Sequence, residues 1–177
     1  MIVLAAGAAI PIAWWVSDRV ESNDRFCVAC HLEPGVPLHA RKFEEFTHPD
    51  PAVSLAAAHR VAGDPFRCVD CHSGTGLIGR ARVKLVSIAD GLRWLSGRFG
   101  EPERMRNPLA DADCAKCHPT YSPARDDAFH AIAAHADDFP RACVECHRAH
   151  AATRAPELDF LSRETVLPIC RDCHEEL

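Results

Sequence analysis

The chain has 177 residues and a formal charge of −5, from 20 Lys and Arg against 25 Asp and Glu; that length bounds it to one modest domain by the usual prior of roughly 100–200 residues each, and no basic excess marks it as a partner for nucleic acid. Its unusual residues are ten cysteines and 11 histidines. The cysteines form five C-x-x-C pairs, Cys27/Cys30, Cys68/Cys71, Cys114/Cys117, Cys143/Cys146 and Cys170/Cys173, each followed at once by a histidine: His31, His72, His118, His147 and His174.

Residues 1–16, MIVLAAGAAIPIAWWV, carry no charge and place Trp14 and Trp15 at the downstream end. As a helix this run spans about 24 Å, short of the ~30 Å hydrocarbon core, so crossing a bilayer needs a few further residues, tilt or local thinning. The rival is a signal-peptide apolar region, but no Lys or Arg precedes the run as a positive n-region requires, and paired Trp suits an interfacial anchor. The expectation is an uncleaved transmembrane helix over 1–17, with a start further upstream. An acidic linker, SDRVESND, then reaches the first motif within about ten residues, which would hold that motif close to the membrane surface.

The first motif, FCVACH, raises the question common to all five. Two residues between cysteines make a poor loop for a structural disulfide, and a disulfide framework gives no reason for the trailing His. A zinc ribbon wants pairs about 15–20 residues apart, whereas the gaps here are 37, 42, 25 and 23 residues. A thioredoxin-like site uses a single pair. C-x-x-C-H has a direct logic instead: two thiols on one helical turn add to the two vinyl groups of a haem, and the next residue projects its imidazole to the iron. The pattern predicts five c-type haems, attached through the ten cysteines and ligated by His31, His72, His118, His147 and His174. It also predicts a periplasmic location on the inner membrane, since free thiols survive poorly on that side.

About 35 residues per haem leave too little protein for an ordinary apolar core, so porphyrin faces must supply much of the buried surface. The fold class expected is mostly α with extensive loops, a multihaem cytochrome c fold organised around five haems. Three regions follow: the anchor at 1–17, a membrane-proximal region at 18–100 with haems 1 and 2, and a distal region at 101–177 with haems 3 to 5. The only internal repeat visible is the haem motif itself.

Between the first two motifs lies PGVPLHARKFEEFTHPDP, then a helical-looking SLAAAHRVAG. Residues 77–99 form the most periodic segment, with apolar side chains at 81, 85, 88, 92, 95 and 99 on one helical face and Arg80, Arg82, Lys84, Arg93 and Arg98 against a single acid, Asp90. Such a helix lies in the headgroup region with its cations near anionic lipid, or packs on haem edges with a solvated basic side. Beyond residue 100 the balance turns acidic, nine Lys and Arg against 15 Asp and Glu. With the haem propionates added, this outer half would steer basic redox partners.

One axial position per iron remains. His39, His48, His59, His130, His135 and His150 are six candidates for at most five sites. Of two methionines, Met1 lies in the apolar run and Met105 in a loop-like EPERMRNP, so mostly bis-imidazole, low-potential haems are expected.

The order of anchor, acidic linker, FCVACH, AAHRVAGDPFRCVDCH, basic amphipathic helix, ADCAKCH and FHAIAAHADDFPRACVECHRAH resembles the NapC/NirT family of membrane-anchored multihaem quinol dehydrogenases, over roughly residues 1 to 150. The resemblance implies a menaquinol site at the membrane surface beside haem 1, with Lys84 hydrogen-bonding the quinone oxygen and Asp90 taking up a proton. The bland alternatives are an interfacial Lys and a solvated helix residue. It further implies His59, one of His130 and His135, and His150 as distal ligands, and a periplasmic or complex-bound acceptor protein. Family members read C-x-x-C-H-x-M at haem 1 and use that Met on the iron; Glu33 stands there in this chain, so haem 1 is expected to use His31 with His39 or an open face. RETVLPICRDCHEEL adds a fifth motif to the usual four.

Two other functions compete. A relay subunit without quinol chemistry would resemble the pentahaem subunit of alternative complex III. A terminal reductase resembling pentahaem nitrite reductase would carry a C-x-x-C-K motif, and none is present.

Overall fold

The computed structural model describes residues 2–29, 37–63, 65–100, 105–118, 129–132, 135, 140–151 and 160–177, with backbone alone at 2–8 and 37–39. Among these the fold is helical with loops and contains no strand. The helices are α1 (Ile2–Glu21), α2 (Asp24–Val28), α3 (Pro37–Thr47), α4 (Leu55–Ala62), α5 (Cys68–His72), α6 (Gly76–Leu95), α7 (Asp111–Cys114), α8 (Cys143–Cys146) and α9 (Arg163–Arg171). All five C-x-x-C-H motifs begin on short helices, α2, α5, α7, α8 and α9, and each of these packs on the next. The order of the motifs along the chain is thus their order in space.

Helices of four or five residues cannot stand alone, because nucleation costs more than so few hydrogen bonds return. Acids in their first turns supply part of the support. The Arg67 amide donates to Asp70 at 2.7 Å, the Ala110 amide to Asp113 at 3.0 Å and the Ala142 amide to Glu145 at 2.8 Å. Each bond satisfies an amide that the helix itself leaves without a partner.

Apolar side chains contribute little interior. Among the described residues only Phe46, Ala56, Ala57 and Phe160 are buried hydrophobics, with Ser54 and Lys84 the buried polar groups. The core sits where α3 meets α4, whose first turn is capped by Ser54 accepting from the Ala57 amide at 3.3 Å. The Ala56 amide donates to the Ala149 carbonyl at 2.8 Å, tying α4 to the segment after the fourth motif. Ala57 is fully buried, so nothing larger than methyl fits there without pushing the layers apart.

No helix among the described residues is long and apolar enough to cross a membrane, which corrects the expected transmembrane helix over 1–17. The uncharged run is too short by itself, and α1 continues through Asp18, Arg19 and Glu21 as a charged last turn. Ile10, Ile12, Trp15 and Val16 are nonetheless exposed along it.

The amphipathic helix expected over 77–99 is α6, and it stops at Leu95. Gly97, at φ 69°, donates to the Trp94 carbonyl while Arg98 donates to the Arg93 carbonyl at 2.8 Å, the paired bonds of a Schellman termination that favours glycine at this place. Phe99 falls outside the helix. At the other end Gly74, φ 73°, packs so tightly on Gly79 that a Cβ would lie 2.7 Å from its carbonyl carbon. That contact lets α6 start four residues after His72. Leu85, Ile88, Leu92 and Leu95 form an exposed apolar stripe along it.

Replacing Ser54 by Ala removes the α4 cap; the expected loss is about 1 kcal/mol, or ~2–4 °C in thermal midpoint for a chain of this size, read by thermal melts.

Candidate functional site

In three motifs the histidine amide donates to the carbonyl of the first cysteine four residues back: His118 to Cys114 at 3.0 Å, His147 to Cys143 at 2.8 Å and His174 to Cys170 at 2.9 Å. One turn of chain therefore separates each of these histidines from its first cysteine. Each of four motif histidines then faces a second histidine from another part of the chain. Ring centroids are 5.7 Å apart for His118 and His59, and 6.1 Å apart for His72 and His150, His147 and His130, and His174 and His135. The rings are nearly parallel in two pairs, at 15° and 20°, and steeply inclined in the other two, at 88° and 71°.

Two imidazoles that share one metal ion, at metal–nitrogen distances of roughly 2.0 Å, have ring centroids about 6 Å apart, close to the separation in the four pairs. The Nε2 atoms of His59 and His118 face one another at 3.4 Å, closer than the ~4 Å that two such bonds span, so this pair has to open to admit an ion. A porphyrin needs only these two axial ligands because it brings four nitrogens of its own. No group of three or more His, Cys, Asp and Glu able to hold a bare ion occurs among the described residues. The donor set fits haem.

The surroundings fit as well. A cavity of about 200 Å³ opens beside His72 and His150, walled by Met105, Pro108, Leu109, Val144 and Ala149. Met105 lies in irregular chain and lines this cavity. Burial holds His72 in its neutral form, its pKa lowered from the ordinary value, as an iron ligand requires. The six cysteines Cys27, Cys68, Cys71, Cys114, Cys143 and Cys146 all have raised thiol pKa values, with burial the leading cause and Cys143 pushed up to about 12. Unattached, they would be poor thiolates. A second cleft, of about 380 Å³, presents Arg25, Arg60 and Arg67 beside Asn23 and Thr47; guanidinium groups of this kind suit haem propionates.

Two of the motif cysteines depart from the expected arrangement. Cys117 and Cys173, the second cysteines of the third and fifth motifs, are exposed, whereas the other described cysteines are half-buried. The expectation that both thiols of every motif share one turn of α-helix is corrected here, because α7 ends at Cys114 and α9 at Arg171. Cys117 and Cys173 therefore stand on the turn beyond the helix, each amide donating to the carbonyl three residues back, Cys114 at 3.1 Å and Cys170 at 3.2 Å. This tighter closure keeps each of them next to its motif histidine but leaves it on the outer side, where few side chains cover it.

Neighbouring motifs are also cross-linked by polar contacts. The Cys68 amide donates to Asp24 at 2.9 Å, and the Cys143 amide to Asp111 at 2.7 Å. Lys116, inside the third motif, donates to the Asp70 carbonyl at 2.9 Å. Arg141, before the fourth motif, pairs with Asp172 inside the fifth. Asp24, Asp111, Lys116, Asp70, Arg141 and Asp172 did not stand out in the sequence. The available signal was the recurrence of Asp three residues before Cys27 and Cys114, and of Pro three residues before Cys68 and Cys143. The repeat is thus wider than the haem motif itself.

Lys84 and Asp90 are not brought together. Six residues apart on α6, they diverge by about 120° around the axis and ~9 Å along it. Lys84 is buried against α1, donating to Ser17 at 2.8 Å and Glu21 at 3.1 Å, pairing with Asp18 at 2.9 Å and lying 5.0 Å over the Trp14 ring. Arg80 joins the same carboxylates. Asp90 pairs with Arg93 at 2.8 Å and with Arg106. His48 is exposed and contacts Thr47 Oγ1 at 3.2 Å. Cys30, His31 and Glu33, and the side chain of His39, lie outside the described residues.

No family model, no curated protein and no solved structure matches this chain. The likeness to NapC/NirT proteins therefore rests on motif order and spacing.

The hydrogen bond from Lys84 is the main cause holding the Asp18 carboxyl below its usual range. For Glu21 burial works the other way and is outweighed by Ser17, Lys84 and Arg80, so its pKa is lowered too. Stability from carboxyls depressed in the folded state is present above their ordinary pKa of about 4 and lost as pH falls through the lower folded values. Lys84→Met should lower the thermal midpoint by a few degrees at neutral pH, with the difference from the parent shrinking below about pH 4. Melts between pH 7 and 3 check this; a difference independent of pH would mean that Lys84 acts through packing on Trp14.

Proposed function

We propose that the chain is a pentahaem c-type cytochrome of the NapC/NirT type, held at the periplasmic face of the inner membrane, that takes electrons from menaquinol and delivers them to a periplasmic or complex-bound partner. The observation that carries the electron-transfer reading is the set of four facing histidine pairs. If each of the pairs His118/His59, His72/His150, His147/His130 and His174/His135 held one haem iron, the chain would leave no place on it for a substrate. That favours electron carriage over a terminal reductase. Each haem, when bound, supplies a one-electron iron couple that two imidazoles keep at low potential.

The protein's own work is placement. Motif helices packed in sequence order would hold the cofactors in a continuous series from α2, beside the last turn of α1, to α9. Exposed Ile10, Ile12, Trp15 and Val16 on α1, with the Leu85, Ile88, Leu92 and Leu95 stripe of α6, support membrane attachment through both helices. Arg82, Arg93 and Arg98 suit anionic headgroups beside that stripe.

Quinol oxidation is proposed at the junction of α1 and α6. Lys84 stands there beside the first motif, since Glu21, its partner, also has its carbonyl 3.8 Å from the Cys27 thiol. Glu21 would receive a quinol proton on this side once its ion pairs with Lys84 and Arg80, which hold its pKa low, open, whereas Asp90 lies elsewhere on α6. One observation favours the second reading, a relay subunit fed by another chain: Ser17, Asp18 and Glu21 already engage the Lys84 ammonium.

A pyridine haemochrome assay of the mature protein should return five haems per chain, and alkylation should find no free thiols, the exposed Cys117 and Cys173 included. Replacing His150 by Ala should convert one low-spin signal to high-spin while leaving the others. A menaquinol analogue should reduce the haems of the parent and act at least tenfold more slowly on Glu21→Gln; an inert parent would establish the relay reading instead.

A further inference from the structure

Two contacts in this molecule are the same contact made twice. Asp24 opens α2 three residues before Cys27, and its Oδ1 accepts from the amide of Cys68, the first cysteine of the following motif. Asp111 opens α7 three residues before Cys114, and its Oδ1 accepts from the amide of Cys143, again the first cysteine of the following motif. The receiving segments match as well. Pro65-Phe66-Arg67-Cys68-Val69-Asp70 and Pro140-Arg141-Ala142-Cys143-Val144-Glu145 share Pro, Cys, Val and an acid in register, and in both the acid accepts from the residue before the cysteine. The junctions between these pairs are built differently, by Lys116 on Asp70 and by Arg141 with Asp172. Leu167 occupies the equivalent place before Cys170.

The amide of a first cysteine lies at a helix start and has no partner within its own helix. A carboxylate from the preceding motif helix supplies one through a charge-assisted bond, stronger and more directional than an apolar contact. The side chain of Asp24 is 13 % exposed, so water competes poorly for it. Because the cysteine that donates is also an attachment point, the bond fixes one attachment site relative to the helix that carries the one before it.

We propose that Asp24 and Asp111 are equivalent positioning residues, each clamping one haem-attachment helix to the next and so setting the separation and tilt of the two haems in that pair. This rests on the haem reading above, and the test separates the two. Parent, Asp24→Ala, Asp24→Asn, Asp111→Ala and Asp111→Asn are prepared as full chains with haem attached. Haem content comes first: a parent with fewer than five haems defeats the haem reading itself. With five present, low-temperature electron paramagnetic resonance of the oxidised protein reports magnetic coupling between neighbouring haems.

Asp111→Ala should alter the signals of the third and fourth haems and leave those of the first and second, Asp24→Ala should do the reverse, and each Asn variant, which keeps an acceptor oxygen, should restore the parental spectrum. Ala variants with five haems and a parental spectrum overturn the proposal, as do Asn variants altered like Ala. Should an Ala variant fail to mature, Asp→Glu at the same place decides: its carboxylate reaches one methylene further, so a changed coupling supports the clamp and an unchanged one overturns it.

Discussion

The meeting of two imidazoles at about 6 Å governs the rest of this structure, because the partners come from segments far apart in the chain. His59 precedes the second motif yet faces His118 of the third, and His150 follows the fourth motif yet faces His72 of the second. These connections cross, and the crossing requires α4 and the segment after the fourth motif to lie side by side. The Ala56 to Ala149 hydrogen bond and the fully buried Ala57 hold them there. The small apolar core thus sits where it positions His59 and His150, two of the facing histidines, at once, and large side chains there would push them apart.

Little else in the molecule resembles the interior of an ordinary domain. Short motif helices are supported by acids in their own first turns and by carboxylates or cations from the neighbouring motif. Such contacts are directional where apolar packing is not, so a chain with few buried apolar side chains can still specify the relative placement of its helices. Neutral His72 and the raised pKa values of the Cys68 and Cys143 thiols show the same environment from another side: burial disfavours charge at the motif helices. Exposed Cys117 and Cys173 mark where that cover ends, at the last turns of the third and fifth motifs.

The cluster joining α1 to α6 has a different character. Arg80 and Lys84 meet Asp18 and Glu21 over the Trp14 ring, so the apolar N-terminal helix is fixed to the helix that follows the second motif. Both helices leave apolar side chains exposed, and the acidic half of the chain lies beyond them in sequence.

The sequence alone carried the five C-x-x-C-H motifs and the helical, loop-rich class, because C-x-x-C-H is a local pattern that one turn of chain realises whatever surrounds it. The helical-looking SLAAAHRVAG run made α4 legible for the same reason. How far each motif helix runs past its first cysteine was not legible, and neither was which histidine faces which, since crossing partners depend on how distant segments pack and leave no spacing rule behind. Lys84 and Asp90 were joined in one site by the resemblance to NapC/NirT proteins, but their angular separation and the carboxylates of α1 divide them. Asp24 and Asp111 were present as a recurring D-x-x-C, and only the packing of consecutive motif helices showed what that aspartate reaches.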